Sequence, residues 1–217
     1  LRSAAARENQ AIRQIIDDTK VVRVDFTEID TQEVQTRGAG NKPHDLDFVS
    51  TWSVADFFDE TAEAEAVMVR GQKNVYLGTL ASQTLAYSII PDPVEARVYS
   101  GYIVPHEECS TFRRLLPPHA ETEVRFVYQP TPQMRYCLER DQRLDVDSGN
   151  IASVRRTWVP GKDTVPGGLD IVGACVITAD GHGQWAGLQC KVEDAWKQHA
   201  NANATSWLTA AGILMGV

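Results

Sequence analysis

The side chains best equipped for chemistry fall in a few short clusters. His106-Glu107-Glu108-Cys109 and His44-Asp45-Leu46-Asp47 each bring metal-capable groups close together in sequence. Transition-metal sites in β-folds take inward-pointing ligands from alternate strand positions, a spacing neither cluster keeps. His106 follows Pro105, which places it in a loop. Asp145-Val146-Asp147-Ser148-Gly149-Asn150 opens like a calcium loop. Its sixth position is Asn150 where glycine is required, and its twelfth is Arg156 where a bidentate glutamate is required, so an EF-hand is excluded. A turn of solvated carboxylates is the plain reading, and a looser oxygen site completed by a neighbouring subunit the alternative.

Gly38-Ala39-Gly40 and Gly181-His182-Gly183 approach a phosphate-cradling loop but lack the third glycine of G-x-G-x-x-G and the Gly-Lys-Ser/Thr ending of a P-loop. Both read as turns, and Asp180-Gly181 between two strand patterns is a hairpin signal. There is no G-x-S-x-G nucleophile elbow. For an enzyme on a β-scaffold, His106, Glu107 and His182 are the first residues to mutate. No residue is assigned as catalytic, cofactor-binding or metal-binding, and no cofactor is expected. Arg113-Arg114 and Arg155-Arg156 suit phosphates or carboxylates. In an acidic chain they read first as salt bridges, and along a strand Arg155 and Arg156 point to opposite faces.

The elements that must position these groups come in a definite order. Ala4 to Thr19 is rich in helix formers, with Ser3 as N-cap and Ile12, Ile15 and Ile16 on one apolar stripe. Val22 to Phe26 then switches to a period of two, and residues 37–43 break regular structure. Asp45 to Glu65 is acidic, which fits a loop and short helix on a solvated face. Eight short apolar or alternating segments follow: Ala66–Arg70, Val75–Leu80, Thr84–Ile90, Ala96–Val104, Glu123–Tyr128, Ser153–Val159, Leu169–Thr178 and Leu188–Asp194. Pro91, Pro105, Pro130 and Pro160 mark strand ends, because proline gives no amide hydrogen to a ladder. Leu188, Cys190 and Val192 share one face, as a half-buried strand would place them.

No helical pattern of about 10–15 residues separates those strands, which disfavours parallel βαβ units. The expectation is an all-β fold: an antiparallel eight-stranded jelly roll or β-sandwich with a short N-terminal helix and an irregular C-terminal tail. Residues 1–20 form the helical arm, 21–200 the sandwich and 201–217 the tail.

Composition narrows the function classes. The 217 residues are 43% hydrophobic and 23% charged, average for a globular chain, and 21 basic against 29 acidic residues give a net charge of −8. Bulk positive charge for nucleic acid is absent, so such contact must be local. Cys109, Cys137, Cys175 and Cys190 form no C-x-x-C pair and read as free buried thiols, which with no signal peptide points to an intracellular protein. The apolar run Ala210–Val217 is far short of the ~20 residues of a membrane-spanning helix. Leu1 in place of methionine suggests that an upstream arm is missing.

The helical start Leu1-Arg2-Ser3-Ala4-Ala5-Ala6-Arg7, the proline-marked strands, and the pair Leu169–Cys175 and Gly187–Asp194 together resemble the jelly-roll coat proteins of small icosahedral RNA viruses. The resemblance implies a structural capsid subunit that self-assembles into a shell enclosing a genome. Its partner would be itself, with RNA reached through the missing basic arm and no membrane span. It would reside in the virion, assembled in host cytoplasm; a non-viral protein would be cytoplasmic. On that reading Trp52, Phe57, Phe58, Trp196 and Trp207 anchor interfaces. The tail Asn201-Ala202-Asn203-Ala204-Thr205-Ser206-Trp207-Leu208 is similar to the segment with the Asn-Ala bond at which some insect-virus coats cleave themselves. The alternatives are a small-ligand-binding β-barrel or sandwich, and an enzyme on a β-scaffold.

Overall fold

Val21–Asp30 is buried at six of ten positions, on both faces, and forms β1 in the interior of a sheet. Such near-continuous burial marks a strand covered on two sides. The computed structural model describes residues 2–32, 35–36, 47–49, 51–90, 97–141, 156–158, 164–165, 167–199 and 202–215. The further strands are β2 (Gln35–Thr36), β3 (Asp47–Val49), β4 (Glu65–Arg70), β5 (Lys73–Leu80), β6 (Leu85–Ile90), β7 (Arg97–Val104), β8 (Glu123–Gln129), β9 (Arg156–Trp158), β10 (Thr164–Val165), β11 (Leu169–Thr178) and β12 (Gly183–Lys191). The helices are α1 (Arg2–Thr19), α2 (Val54–Phe58), α3 (Glu107–Arg113), α4 (Pro132–Asp141), α5 (Val192–Gln198) and α6 (Ala204–Met215).

One eight-stranded sheet runs β12-β11-β1-β8-β4-β5, with β7 pairing both β8 and β6. The hairpins β4–β5 and β6–β7 are antiparallel, as are β4–β8 and β7–β8. β1 and β8 run in the same direction: the Thr122 hydroxyl donates to the Val21 carbonyl, and further along Asp25 faces Arg125. β3 and β9 are also parallel, with Asp47 beside Arg156 and Val49 beside Trp158.

The chain divides into two compact units. Unit 1 comprises residues 1–27, 63–128 and 173–187. Its core includes Ala66, Ala86, Ile103 and Val127, with Leu77 packed on them. α1 buries only one residue of its expected stripe, Ile16, and leaves Ile15 exposed. It is tied instead by Arg13 donating to the Arg114 carbonyl at 2.6 Å and by His119 to Asp17 at 3.1 Å. Unit 2 comprises residues 28–62, 129–172 and 188–217. There Cys190, Val192, Ala195 and Ala204 form a cluster with Trp196, Ala202 and Leu208.

The fold is therefore α/β with a mixed sheet, and the all-β antiparallel jelly roll is incorrect. Individual strands lie close to the segments expected of them, but periodicity does not reveal which strands pair in parallel. Four helices depart from the expectation. α3 and α4 fill stretches that read as connections. β12 stops at Lys191, so the shared face of Leu188, Cys190 and Val192 does not exist: Leu188 is 45% exposed, and Val192 is buried as the first residue of α5. The tail is not irregular, because Asn203 caps α6 by accepting from the Ser206 amide at 2.7 Å.

Candidate functional site

In unit 1 a cavity of about 320 Å³ opens between β4, β5 and the start of α3. Val67, Val69, Tyr76 and Cys109 line its wall with apolar surface, and Glu65, Asn74, His106 and Ser110 supply polar groups. A mostly apolar concavity with few polar groups is the usual form of a small-ligand site.

Glu65 is placed by an irregularity. The β4–β5 register shifts between Glu65 and Val67, and the partner strand carries Gly78 at φ +72°. That conformation is open to glycine and strained for other residues. It turns the Gly78 amide onto Glu65 Oε1, at 2.8 Å. Asn74 is held on the same strand by Arg113, whose Nη1 donates to its Oδ1 at 2.7 Å.

His106 occupies the N-cap position of α3, with extended backbone, and two contacts fix its ring. It stacks on Phe126 of β8 with centroids 3.9 Å apart and planes 17° from parallel, and its Nδ1 is hydrogen-bonded to Glu108. Burial alone would raise the Glu108 carboxyl, but the His106 hydrogen bond and charge outweigh it and hold Glu108 below its ordinary value. Glu107 and Glu108 in the first turn also suit the positive end of the helix.

Cys109 is buried, and its thiol is pushed up to about 12, chiefly by burial and then by the charges of Glu108 and Asp25. It is a lining atom and no thiolate nucleophile. Behind it, Asp25 is 1% exposed and accepts from Arg125 Nε and Nη2 at 2.8 and 2.9 Å. Burial would lower the Arg125 pKa, but the hydrogen bonds and charge of Asp25 reverse that and raise it.

Of the sequence candidates, His106 and Glu107 do lie together with Glu108, one ligand-capable atom from each within 4.8 Å of the others. His106 Nδ1 is spent on Glu108, however, and both glutamates are exposed. His182 is elsewhere, at the exposed β11–β12 turn, 3.9 Å from Asp180. Arg113 holds Asn74, and Arg114 offers its carbonyl to α1. Residues 38–40, 44–46, 145–150 and 155 lie outside the described residues. Phe57 is no interface anchor: it is fully buried, edge-on to Trp52 at 6.3 Å and to Phe58 at 5.5 Å. Residue type and spacing do not single out Glu65 or Tyr76. The usable signal is Gly78 inside a strand pattern, which marks a bulge and a close approach.

No family model matches the chain, and no curated protein matches it in sequence. Its fold is similar to that of the homospermidine synthase of Legionella pneumophila, solved in complex with NAD. The TM-score is 0.72 at 17% identity, over 94% of this chain and 47% of that one. The chain thus spans about half the length of the enzyme it matches. That fold overturns the resemblance to viral coat proteins. The capsid function, the self-assembling shell and the virion location fall with it, since all three rested on the jelly roll.

Proposed function

We propose that this chain binds a small ligand, a linear aliphatic polyamine, in the Glu65–His106 cavity, as the ligand-holding part of a larger enzyme. The carrying observation is the pairing of an apolar wall with a carboxylate whose one oxygen is already oriented. Glu65 Oε1 is taken by the Gly78 amide, so its second oxygen is directed to accept from a ligand ammonium. The methylene stem of a polyamine fits against Val67 and Val69, and Tyr76 presents an aromatic ring suited to a cation. The ionised Glu108, bonded to His106, adds negative potential beside the cavity. The net charge of −8 favours cationic ligands in general. The Legionella enzyme is named for a polyamine product, which agrees with this chemistry.

NAD, which that enzyme holds, needs a glycine-rich strand–turn–helix cradle for its pyrophosphate. The glycine pair Gly181 and Gly183 closes a β-hairpin beside Asp180, whose carboxylate disfavours phosphate. The described residues therefore offer the dinucleotide no cradle.

Isothermal titration with homospermidine at low ionic strength tests the proposal. A single site is expected, weakened about tenfold or more by Glu65→Gln, with no binding of a neutral diol of equal length. Absence of binding at millimolar concentration, or equal affinity of the variant, would overturn it.

A further inference from the structure

A second group of polar side chains, all in unit 2, converges on the start of α6 and belongs to no cavity described above. Asp30, at the end of β1, is fully buried. The Thr51 hydroxyl donates to its Oδ2 at 2.5 Å, and the Gln32 amide and Nε2 donate to its Oδ1 at 2.8 and 3.1 Å. Gln32 also donates to Thr205 Oγ1 at 3.0 Å and accepts from the Ala204 amide at 2.9 Å. Asn203 Nδ2 donates to the Thr51 carbonyl at 2.9 Å. The chain end that begins α6 is thus laced to the residues around Asp30.

Asp170, near the start of β11, is just as buried, yet neither of its carboxylate oxygens has a hydrogen-bond partner. The Thr205 hydroxyl and the Ile171 amide are the polar groups that favour its ionised form, and Asp30 is the charge that acts against it. On the β12 side the titratable neighbour is the Cys190 thiol, itself raised by burial and by Asp194 and Asp170. Among the described residues, no cation is among the groups acting on either carboxyl. At the start of α6 the Ala204 and Ser206 amides donate to the neutral amide oxygens of Gln32 and Asn203.

Two carboxylates buried together without a counter-ion cannot both be ionised cheaply, and sharing one proton is the usual resolution. We propose that Asp30 and Asp170 form a proton-held latch on α6: the protonated pair keeps the helix start docked, and loss of the last proton releases it. Burial is the main reason both groups hold their protons, with Asp30 pushed up to about 6 and Asp170, repelled also by Asp30, to about 7. The sign follows. A carboxyl that binds its proton more tightly folded than unfolded stabilises at low pH and loses that contribution as pH rises through its folded value. Release of α6 would uncover the faces of Ala204 and Leu208 that pack on Cys190, Val192 and Ala195. The inference is independent of what the Glu65 cavity binds.

Hydrogen exchange of the α6 amides, corrected for intrinsic rates and followed from about pH 5 to about pH 8, is the test. Protection in the full chain should fall about tenfold or more, and should stay level across that range in Asp170→Asn and in Asp30→Asn. Level protection in the unaltered chain, or an equal fall in a folded variant, would overturn the latch. Infrared spectroscopy reads the same group without any substitution. A protonated-carboxyl band present near pH 5 should vanish by about pH 8, and its absence at the lower pH would equally refute the proposal.

Discussion

Strand β1 carries two buried carboxylates, Asp25 and Asp30, and the molecule handles them in opposite ways. Asp25 is held bidentate by Arg125, and Arg23 Nε lies 3.3 Å from Oδ2, the oxygen that also accepts from Arg125 Nη2, without forming a hydrogen bond. Asp30 has hydroxyl and amide donors only, and its charged neighbour is a second carboxyl, Asp170. The difference is one of counter-charge, since both side chains are withdrawn from water to the same degree. A guanidinium supplies a buried carboxylate with a counter-charge inside the protein. Neutral donors leave its charge to be set by the proton, so one end of the strand is built as a fixed ion pair and the other as a group that titrates.

The largest effect should come from breaking the fixed pair. Arg125→Met leaves Asp25 buried with only the misaligned Arg23, and should cost about 3–5 kcal/mol in a urea melt. Adding Asp25→Asn should return much of that loss, which a purely steric defect at Arg125 would not allow. A smaller effect sharpens the contrast from the other side. With Asp170 raised from 3.8 to about 7, stability should be full below about pH 4 and fall by roughly 2–4 kcal/mol on going to pH 7.5. Asp170→Asn should flatten that slope and be the more stable protein at the upper end. A melt midpoint in the unaltered chain that rises with pH over this interval would contradict the account.

Much of this is visible in the residues, but unevenly. The strands Val75–Leu80, Glu123–Tyr128 and Leu169–Thr178 can be read because each keeps its own local alternation or apolar run. What cannot be read is pairing: β1 and β8 lie side by side and parallel though some hundred residues separate them in sequence, and nothing local records that. The C-terminal helices are hidden for a related reason. Val192 continues the alternation of Leu188 and Cys190, so a strand and the first turn of a helix look identical until the chain bends. At the cavity, His106 stands out by residue type, whereas Glu65 looks like one more acid in a solvated run. The signal at the latch is of the same quiet kind. Asp170 sits inside an apolar strand pattern, where a carboxyl either has a partner or gives up its charge.

The smallest effect discriminates most finely between a group that titrates and one that merely packs. Thr51→Val keeps the shape of the side chain and the Thr51 carbonyl that Asn203 uses, and removes only the hydroxyl on Asp30 Oδ2. A lost donor to a buried acceptor should cost about 1–2 kcal/mol. Because that donor favours the ionised carboxyl, the cost should depend on whether Asp30 holds its proton. The penalty should therefore be greater near pH 8 than near pH 5, and Asp30 should release its proton at a higher pH in the variant. Urea melts of both proteins at the two pH values measure this directly. Equal penalties would mean that the charge on Asp30 does not change between the two pH values, which would contradict the latch.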